Sequence, residues 1–76
     1  MFFNKKKKNK SMIYAQLENE LLIARARQQS AFYYPLENED VDKAMAWCAR
    51  MKIGIQPDHI TEGKTYYKFF GYSFDF

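Results

Sequence analysis

The chain ends in Tyr66-Tyr67-Lys68-Phe69-Phe70-Gly71-Tyr72-Ser73-Phe74-Asp75-Phe76, and this stretch holds seven of its aromatic side chains. Side chains of a β-strand alternate between two faces, so a strand over this stretch has one nearly continuous aromatic face. That face carries Lys68 and the rings of Tyr66, Phe70, Tyr72, Phe74 and Phe76. An apolar surface of that size is seldom left in water. We therefore expect this face to be core, which leaves Tyr67 and Phe69 on the other face as candidates for exposure.

Residues 12–29 favour a helix, because strong helix formers dominate the segment. Apolar side chains recur there at helical spacing and form one stripe, made of Ile13, Tyr14, Leu17, Leu21 and Ala24. Ser11 precedes the segment and can cap its start. The alternative is a hairpin that pairs residues 12–17 with residues 21–27, although it lacks an Asn-Gly or Asp-Gly turn.

Residues 39–53 carry the clearest helix signals in the chain. Asn38 can act as the N-cap, acidic residues follow it at the positive helix start, and Gly54 stands where a left-handed terminating residue belongs. One face of this helix is apolar, with Trp47 at its edge, and contains Val41, Ala44, Met45, Cys48 and Met51. The helix dipole accounts for the acidic residues, so we expect no metal site there.

Strand signals fill the remaining segments. Three of the four residues 31–34 are aromatic, and the segment precedes Pro35, which fits a strand leaving a sheet. Ile55 begins a short strand that ends in a loop over residues 56–58, and a turn at Glu62-Gly63 leads into the aromatic strand. The sequence thus predicts a single α+β domain over residues 11–76, with two helices packed on a small antiparallel sheet that includes the aromatic C-terminal strand. The alternative is a ββαββ fold, with the N-terminal hairpin in place of the first helix.

The net charge of +3 comes from the N-terminal segment. Residues 1–10 carry five lysines without an apolar period, which predicts a flexible basic arm. Such an arm is a candidate for contact with nucleic acid or an anionic surface, through Lys5, Lys6, Lys7, Lys8 and Lys10. Without the arm the chain is slightly acidic, whereas phosphate-binding domains usually carry positive charge on the fold itself.

Residues for catalysis and for metal or cofactor binding are scarce. Cys48 and His59 are the only cysteine and histidine, so one chain cannot supply a zinc ligand set. Phosphate-binding loops, dinucleotide fingerprints and hydrolase nucleophile motifs are missing. We therefore expect no catalytic residue, no cofactor and no metal, and we expect His59 to lie solvated in its Pro-Asp-His loop. A lone cysteine and the lack of a membrane-span pattern predict a cytoplasmic protein.

Part of the aromatic stretch resembles the signature strand of the RNA recognition motif. In that strand a basic residue and a glycine precede alternating aromatic and small residues. Lys68, Phe70, Gly71 and Tyr72 match this pattern, whereas Phe69 stands where the family has glycine, Ser73 where it has an aliphatic residue and Asp75 where it has the final aromatic. The resemblance implies base stacking on the rings of this strand.

Three functional hypotheses follow for a noncatalytic protein of this size. The first is a phage-type or mobile-element accessory protein that binds a host protein in the host cytoplasm and inhibits or redirects it. Its contact residues would be Tyr67, Phe69, Lys68 and Trp47, since aromatic side chains flanked by lysine are typical of interface anchors. The second is nucleic-acid binding through the basic arm and the aromatic strand. The third is a homo-oligomer or a subunit of a larger assembly.

Overall fold

Two helices and three strands make up the part of the chain, residues 12–74, that the computed structural model describes. The elements in chain order are α1 (Met12–Ala26), β1 (Ala31–Leu36), α2 (Asn38–Met51), β2 (Gly54–Thr61) and β3 (Lys64–Phe70). The strands form one antiparallel sheet in the order β1-β3-β2, so the last strand is central. The predicted α+β fold is confirmed, and the ββαββ alternative is wrong because residues 12–26 are helical. The predicted basic arm, the Ser11 cap and the last two residues lie outside the described part.

Helix α1 buries the stripe that its sequence predicts. Ile13, Leu17, Leu21 and Ala24 are buried, and Tyr14 packs against them. The helix ends at Ala26 rather than at residue 29, because Gln28 adopts a left-handed conformation with φ of 57°. The backbone N–H of Gln29 then donates to the carbonyl oxygen of Ala24 at 2.9 Å, which is the 6→1 hydrogen bond of a Schellman motif.

Helix α2 is shifted slightly from its predicted position at both ends. Asn38 is its first residue and Glu37 occupies the N-cap position, without a hydrogen bond from its side chain. At the other end Lys52, with φ of 61°, is the left-handed residue that was expected at Gly54. Gly54 instead begins β2. The acidic first turn lies at the positive helix end, as the dipole favours.

The core lies between the two helices and one face of the sheet. Phe69 of β3 is 0% exposed, and its ring stacks on Phe32 of β1 with centroids 4.7 Å apart. Trp47 of α2 is 1% exposed and meets Phe69 edge-on at 6.4 Å. The indole Nε1 of Trp47 donates to Glu18 Oε2 at 3.1 Å, which joins α2 to α1. Trp47 therefore lies at the centre of the helix interface rather than at its edge, whereas Met45 is exposed.

The predicted assignment of the two faces of the aromatic strand is wrong. Phe69 and Tyr67 point to the core, and Tyr66, Lys68 and Phe70 lie on the opposite face. The strand ends at Phe70, because Gly71 adopts φ of 81° and breaks the alternation. The aromatic residues beyond Gly71 therefore do not extend either face of β3.

Strand β2 is longer than its sequence predicts, since it runs through Pro57 to Thr61 instead of ending in a loop. The pairing with β3 slips between Pro57 and His59, so Asp58 is an extra residue in an edge-strand bulge. Edge strands tolerate proline because its missing N–H can face away from the sheet. The predicted turn at Glu62-Gly63 is confirmed, with positive φ at both residues, as a tight hairpin between right-twisted strands needs.

Candidate functional site

The face of the sheet opposite the helices is the feature with the clearest potential for binding, and we call it the open face. Strand alternation places Lys64, Tyr66, Lys68 and Phe70 of β3 on this face. The register adds Ala31, Tyr33 and Pro35 from β1 and Gly54, Gln56, His59 and Thr61 from β2. Neither helix covers this face, because the described helices pack on the side that holds Phe69. The open face therefore presents three aromatic rings, an imidazole and two lysines in one surface.

Three of these rings form a cluster that crosses the whole sheet. Tyr66 of the central strand stacks on His59 of β2, with centroids 4.9 Å apart and planes inclined by 6°. Tyr33 of β1 approaches His59 at 6.2 Å with a tilt of 48°. The imidazole is oriented by Asp58, whose Oδ2 lies 2.6 Å from Nδ1 of His59. We call Tyr33, His59 and Tyr66 the ring cluster.

Phe70 forms a second, separate aromatic position on the open face. Its register partners are Ala31 and Gly54, which have little or no side chain. The Phe70 ring lies over Gly54, where a Cβ atom would overlap the ring carbons. Lys68 lies between this ring and the ring cluster, and its Nζ is 5.8 Å from the Phe70 centroid. A cation over a ring face at that distance is a cation–π contact.

Charges of both signs lie mainly in or beside the helices, where five of the seven described Lys and Arg side chains are found, at Arg25, Arg27, Lys43, Arg50 and Lys52. Residues 12–74 carry seven Lys or Arg and eight Asp or Glu, so this part of the chain is close to neutral. Most of the carboxylates lie in the helices or at their starts, at Glu18, Glu20, Glu37, Glu39, Asp40 and Asp42. Lys64 and Lys68 lie on the open face. A ligand on the open face therefore meets cations and rings, with Asp58 already paired to His59.

The two edges of the sheet are poorly suited to adding another strand. Pro35 removes one backbone N–H donor from the edge of β1. In β2 the row of backbone N–H groups is interrupted by Pro57 and by the bulge at Asp58. Proline and bulges are the features by which natural edge strands avoid pairing with other chains. The face of the sheet, rather than its edges, is the better candidate for contact.

The structure separates the residues predicted for a partner site. Lys68 lies on the open face, whereas Phe69 and Trp47 are core residues and Tyr67 packs against the core. The prediction that Phe69 and Trp47 are exposed is therefore wrong. Phe69 packs under the helices, and Trp47 packs between them. The predicted nucleic-acid contacts at Lys5, Lys6, Lys7, Lys8 and Lys10 lie outside the described residues.

Four open-face residues are absent from the sequence-based site: Tyr33, His59, Tyr66 and Phe70. For Tyr66 and Phe70 a signal exists, since they alternate with Lys64 and Lys68. A face that carries two lysines within seven residues is the one to expect in water. His59 was expected in a loop, and it lies exposed in β2 instead.

Ionisable groups on the core side are perturbed mainly by burial. Burial raises the pKa of the Cys48 thiol to about 11, so this thiol is protonated at neutral pH. Burial also raises the pKa of Tyr34, and the negative charges of Glu20 and Asp40 raise it further. The pKa of Tyr72 is raised by burial as well, and the positive charge of Arg25 opposes part of this rise. Within residues 12–74, no three His, Cys, Asp or Glu side chains are arranged to hold a metal ion.

No protein-family model, curated protein or solved structure matches this chain. Among the described helices, neither is long and apolar enough to cross a membrane. The inferences about function therefore rest on the geometry of the open face.

Proposed function

We propose that this protein is a noncatalytic binding protein of the cytoplasm that holds single-stranded nucleic acid on its open face. The observation that supports this proposal is the combination of exposed rings and lysines on one sheet face that no described helix covers. Proteins that bind single strands without strong sequence preference combine stacking side chains with cations that follow the phosphates.

The rings supply the stacking part of this recognition. Tyr33 is 47% exposed, and Tyr66 and Phe70 are partly exposed around it. Every base has an aromatic face, so stacking is tolerant of sequence and contributes about 1–3 kcal/mol per base. A base in a duplex is already stacked and paired, so the open face favours single strands over duplexes.

The lysines supply the electrostatic part. Lys64 and Lys68 face the ligand directly, and the five lysines of residues 1–10 add a sequence-independent attraction. This combination corresponds to the second functional hypothesis drawn from the sequence. The rings it uses are those of the open face rather than Tyr67 and Phe69.

The direct test is fluorescence anisotropy of labelled oligothymidylate and of a duplex with the wild-type protein at low salt. We expect single strands to bind more tightly, and Tyr33→Ala to weaken binding by about 5- to 150-fold. Phe74→Ala is the matched control, since Phe74 is 44% exposed and lies outside the open face. Absence of binding at low salt, or an equal loss with Phe74→Ala, would contradict the proposal.

A second candidate function is binding of a host protein by a phage-type or mobile-element accessory protein, which thereby inhibits or redirects its target. One observation favours it: α1 exposes the large apolar side chains of Met12, Leu22 and Ile23 on its outer side. Leu22 and Ile23 are neighbours near the end of α1, and exposed apolar side chains that lie together at a surface are typical of protein contacts. In this candidate function the exposed side chains of α1 are the contact residues for the host protein, in place of Phe69 and Trp47, which are buried.

Affinity purification from a host lysate tests the second candidate. A specific stoichiometric band that is retained by Tyr33→Ala and lost with Leu22→Ser would support it. Recovery of no specific band would count against it. Light scattering over a range of protein concentrations distinguishes the third hypothesis, because a constant monomer mass excludes self-assembly over that range.

A further inference from the structure

We propose that the bound strand runs along β3, with one base on the ring cluster, a second base on Phe70, and the phosphate backbone that joins them on Lys68. This inference rests on the proposed function and specifies the register of its ligand. It follows from the order of side chains on the open face, which is ring, cation, ring along the central strand.

The two stacking positions are distinct surfaces rather than one continuous patch. His59 and Tyr66 stack in nearly parallel planes, and Tyr33 leans against them from the opposite edge strand. Phe70 has only Ala31 and Gly54 as lateral partners, so its ring stands apart from the other three. Two positions separated in this way fit two bases that have been unstacked from each other.

Lys68 is placed to meet the backbone that joins those bases. It lies two residues from Tyr66 and two from Phe70 along β3, which is about 7 Å in each direction. Among the described residues, no carboxylate lies within 4.0 Å of its ammonium group. In the free protein its ammonium lies 5.8 Å from the Phe70 centroid, and a base that stacks on Phe70 takes the place of this cation–π contact while the ammonium turns to the phosphate. A phosphate is the anion that a strand stacked on both sides would bring to this point.

The lateral neighbours of Lys68 also suit a phosphodiester. Tyr33 is its register partner on β1, and Gln56 is its register partner on β2. Gln56 is exposed and neutral, and its amide can donate a hydrogen bond to a phosphate oxygen or a base edge. Neither partner carries a negative charge that would repel the backbone.

The test measures the salt dependence of binding to fluorescein-labelled oligothymidylate and oligouridylate, each about 12 nucleotides long, which is within the span of a single-domain site. Removing one phosphate contact lowers the slope of log affinity against log salt by about 0.7. We expect this change for Lys68→Gln and no change for Lys43→Gln, since Lys43 lies on α2, on the other side of the sheet. An unchanged slope in Lys68→Gln, with normal wild-type binding, would overturn the register.

A variant with all five N-terminal lysines replaced by glutamine separates the arm from the open face. This variant should have a smaller salt slope than the wild-type protein. Tyr33→Ala should weaken its binding by the same factor as it weakens that of the wild-type protein. Loss of all wild-type binding to both probes would refute the proposed function itself, whereas binding with an unaltered Lys68→Gln slope refutes only the register. Tighter binding of one probe than the other distinguishes RNA from DNA as the ligand.

If the two stacking positions are independent, combining a substitution at each should weaken binding by the product of the two single effects. Tyr33→Ala removes an exposed ring from the first position and Phe70→Leu removes the ring of the second, so their fold-losses should multiply. Urea denaturation of Phe70→Leu checks that its loss does not come from unfolding. A double variant that binds no more weakly than the worse single variant would show one shared position, and would overturn the two-base assignment.

Discussion

Replacing Phe69 by leucine should destabilise the protein far more than the same replacement at Tyr33. Phe69 is 0% exposed and contacts both Phe32 and Trp47, whereas Tyr33 lies on the open face. Truncation of a buried phenylalanine to alanine costs about 3–5 kcal/mol. A protein of this length is stable by only about 4–11 kcal/mol, so alanine would remove a large part of the free energy of unfolding. Leucine keeps much of the volume and should cost about 1–2 kcal/mol.

The measurement is urea denaturation followed by the fluorescence of Trp47, the only tryptophan in the chain. With a slope of about 1 kcal/mol per molar urea for a small domain, Phe69→Leu should lower the midpoint by about 1–2 M. Tyr33→Leu should change the free energy of unfolding by less than about 0.5 kcal/mol. Equal midpoints for the two variants would refute the assignment of the faces of β3, and with it the open face.

Three further predictions concern the helix interface, the glycine under Phe70 and the buried thiol. Glu18→Ala removes the acceptor of the Trp47 indole N–H and should lower the free energy of unfolding by about 1 kcal/mol, whereas Glu18→Gln, which keeps an oxygen acceptor, should cost less in urea denaturation. Gly54→Ala should cost about 1 kcal/mol because its Cβ overlaps the Phe70 ring, and the same change should be harmless in a Phe70→Ala background; a double-mutant cycle that shows no coupling would contradict this. Cys48 should react with a thiol reagent at pH 8 only after unfolding. Burial raises the pKa of Cys48 from its ordinary value of 9.0 to about 11 in the folded protein, so the thiol does not affect the pH dependence of stability below about pH 9. Between pH 9 and 11 the unfolded chain loses this proton first, and the free energy of unfolding should fall by up to about 1.4 kcal/mol per pH unit. Cys48→Ala should remove this fall.

The helices could be predicted from sequence because their signals are local. The buried stripe of α1 and the acidic start and left-handed end of α2 all depend on residues a few positions apart. The helix ends were wrong where Gln28 and Lys52 adopt the left-handed conformation without being glycine, and the apolar face of α2 was wrong at Trp47, which is buried, and at Met45, which is exposed. Propensity alone gives little warning of the left-handed residues, since the hydrogen bonds that close the helices fix them, from Gln29 N–H to the Ala24 carbonyl in α1 and from Ile53 N–H to the Cys48 carbonyl in α2.

The faces of β3 could not be assigned from the aromatic count alone. Counting rings across the whole stretch from Tyr66 to Phe76 assumes a strand that continues through Gly71, and the strand stops there. Tyr72 turns back to the core instead, where its hydroxyl donates to the carbonyl oxygen of Gln29 at 2.5 Å and its ring meets Phe32 at 5.9 Å. Within β3 each face has two rings, and the lysines then decide which face meets water.

The open face itself depends on pairings that no local pattern contains. His59 reaches Tyr66 only because the bulge at Asp58 shifts the register of β2 by one residue. If the regular pairing continued past Pro57, Asp58 would lie opposite Tyr66 and His59 would point to the core side, since one step along a strand reverses every side chain. Tyr33 joins the cluster through pairing of β1 with a strand that lies more than thirty residues later in the chain. The candidate site is therefore a product of topology.

The central position of β3 also determines the order in which this molecule can assemble. β1 and β2 are each bonded to β3 and not to each other, so neither has a strand partner until residues 64–70 have been synthesised. The partners joined in the β1–β3 ladder are 29 to 39 residues apart, which places folding among the slower, non-local topologies. During synthesis α1 and α2 can form early, but their apolar stripes have no complete sheet to cover until β3 has been made. Two rings of the open face and the ring that closes the core on the other face thus arrive together, in the same strand.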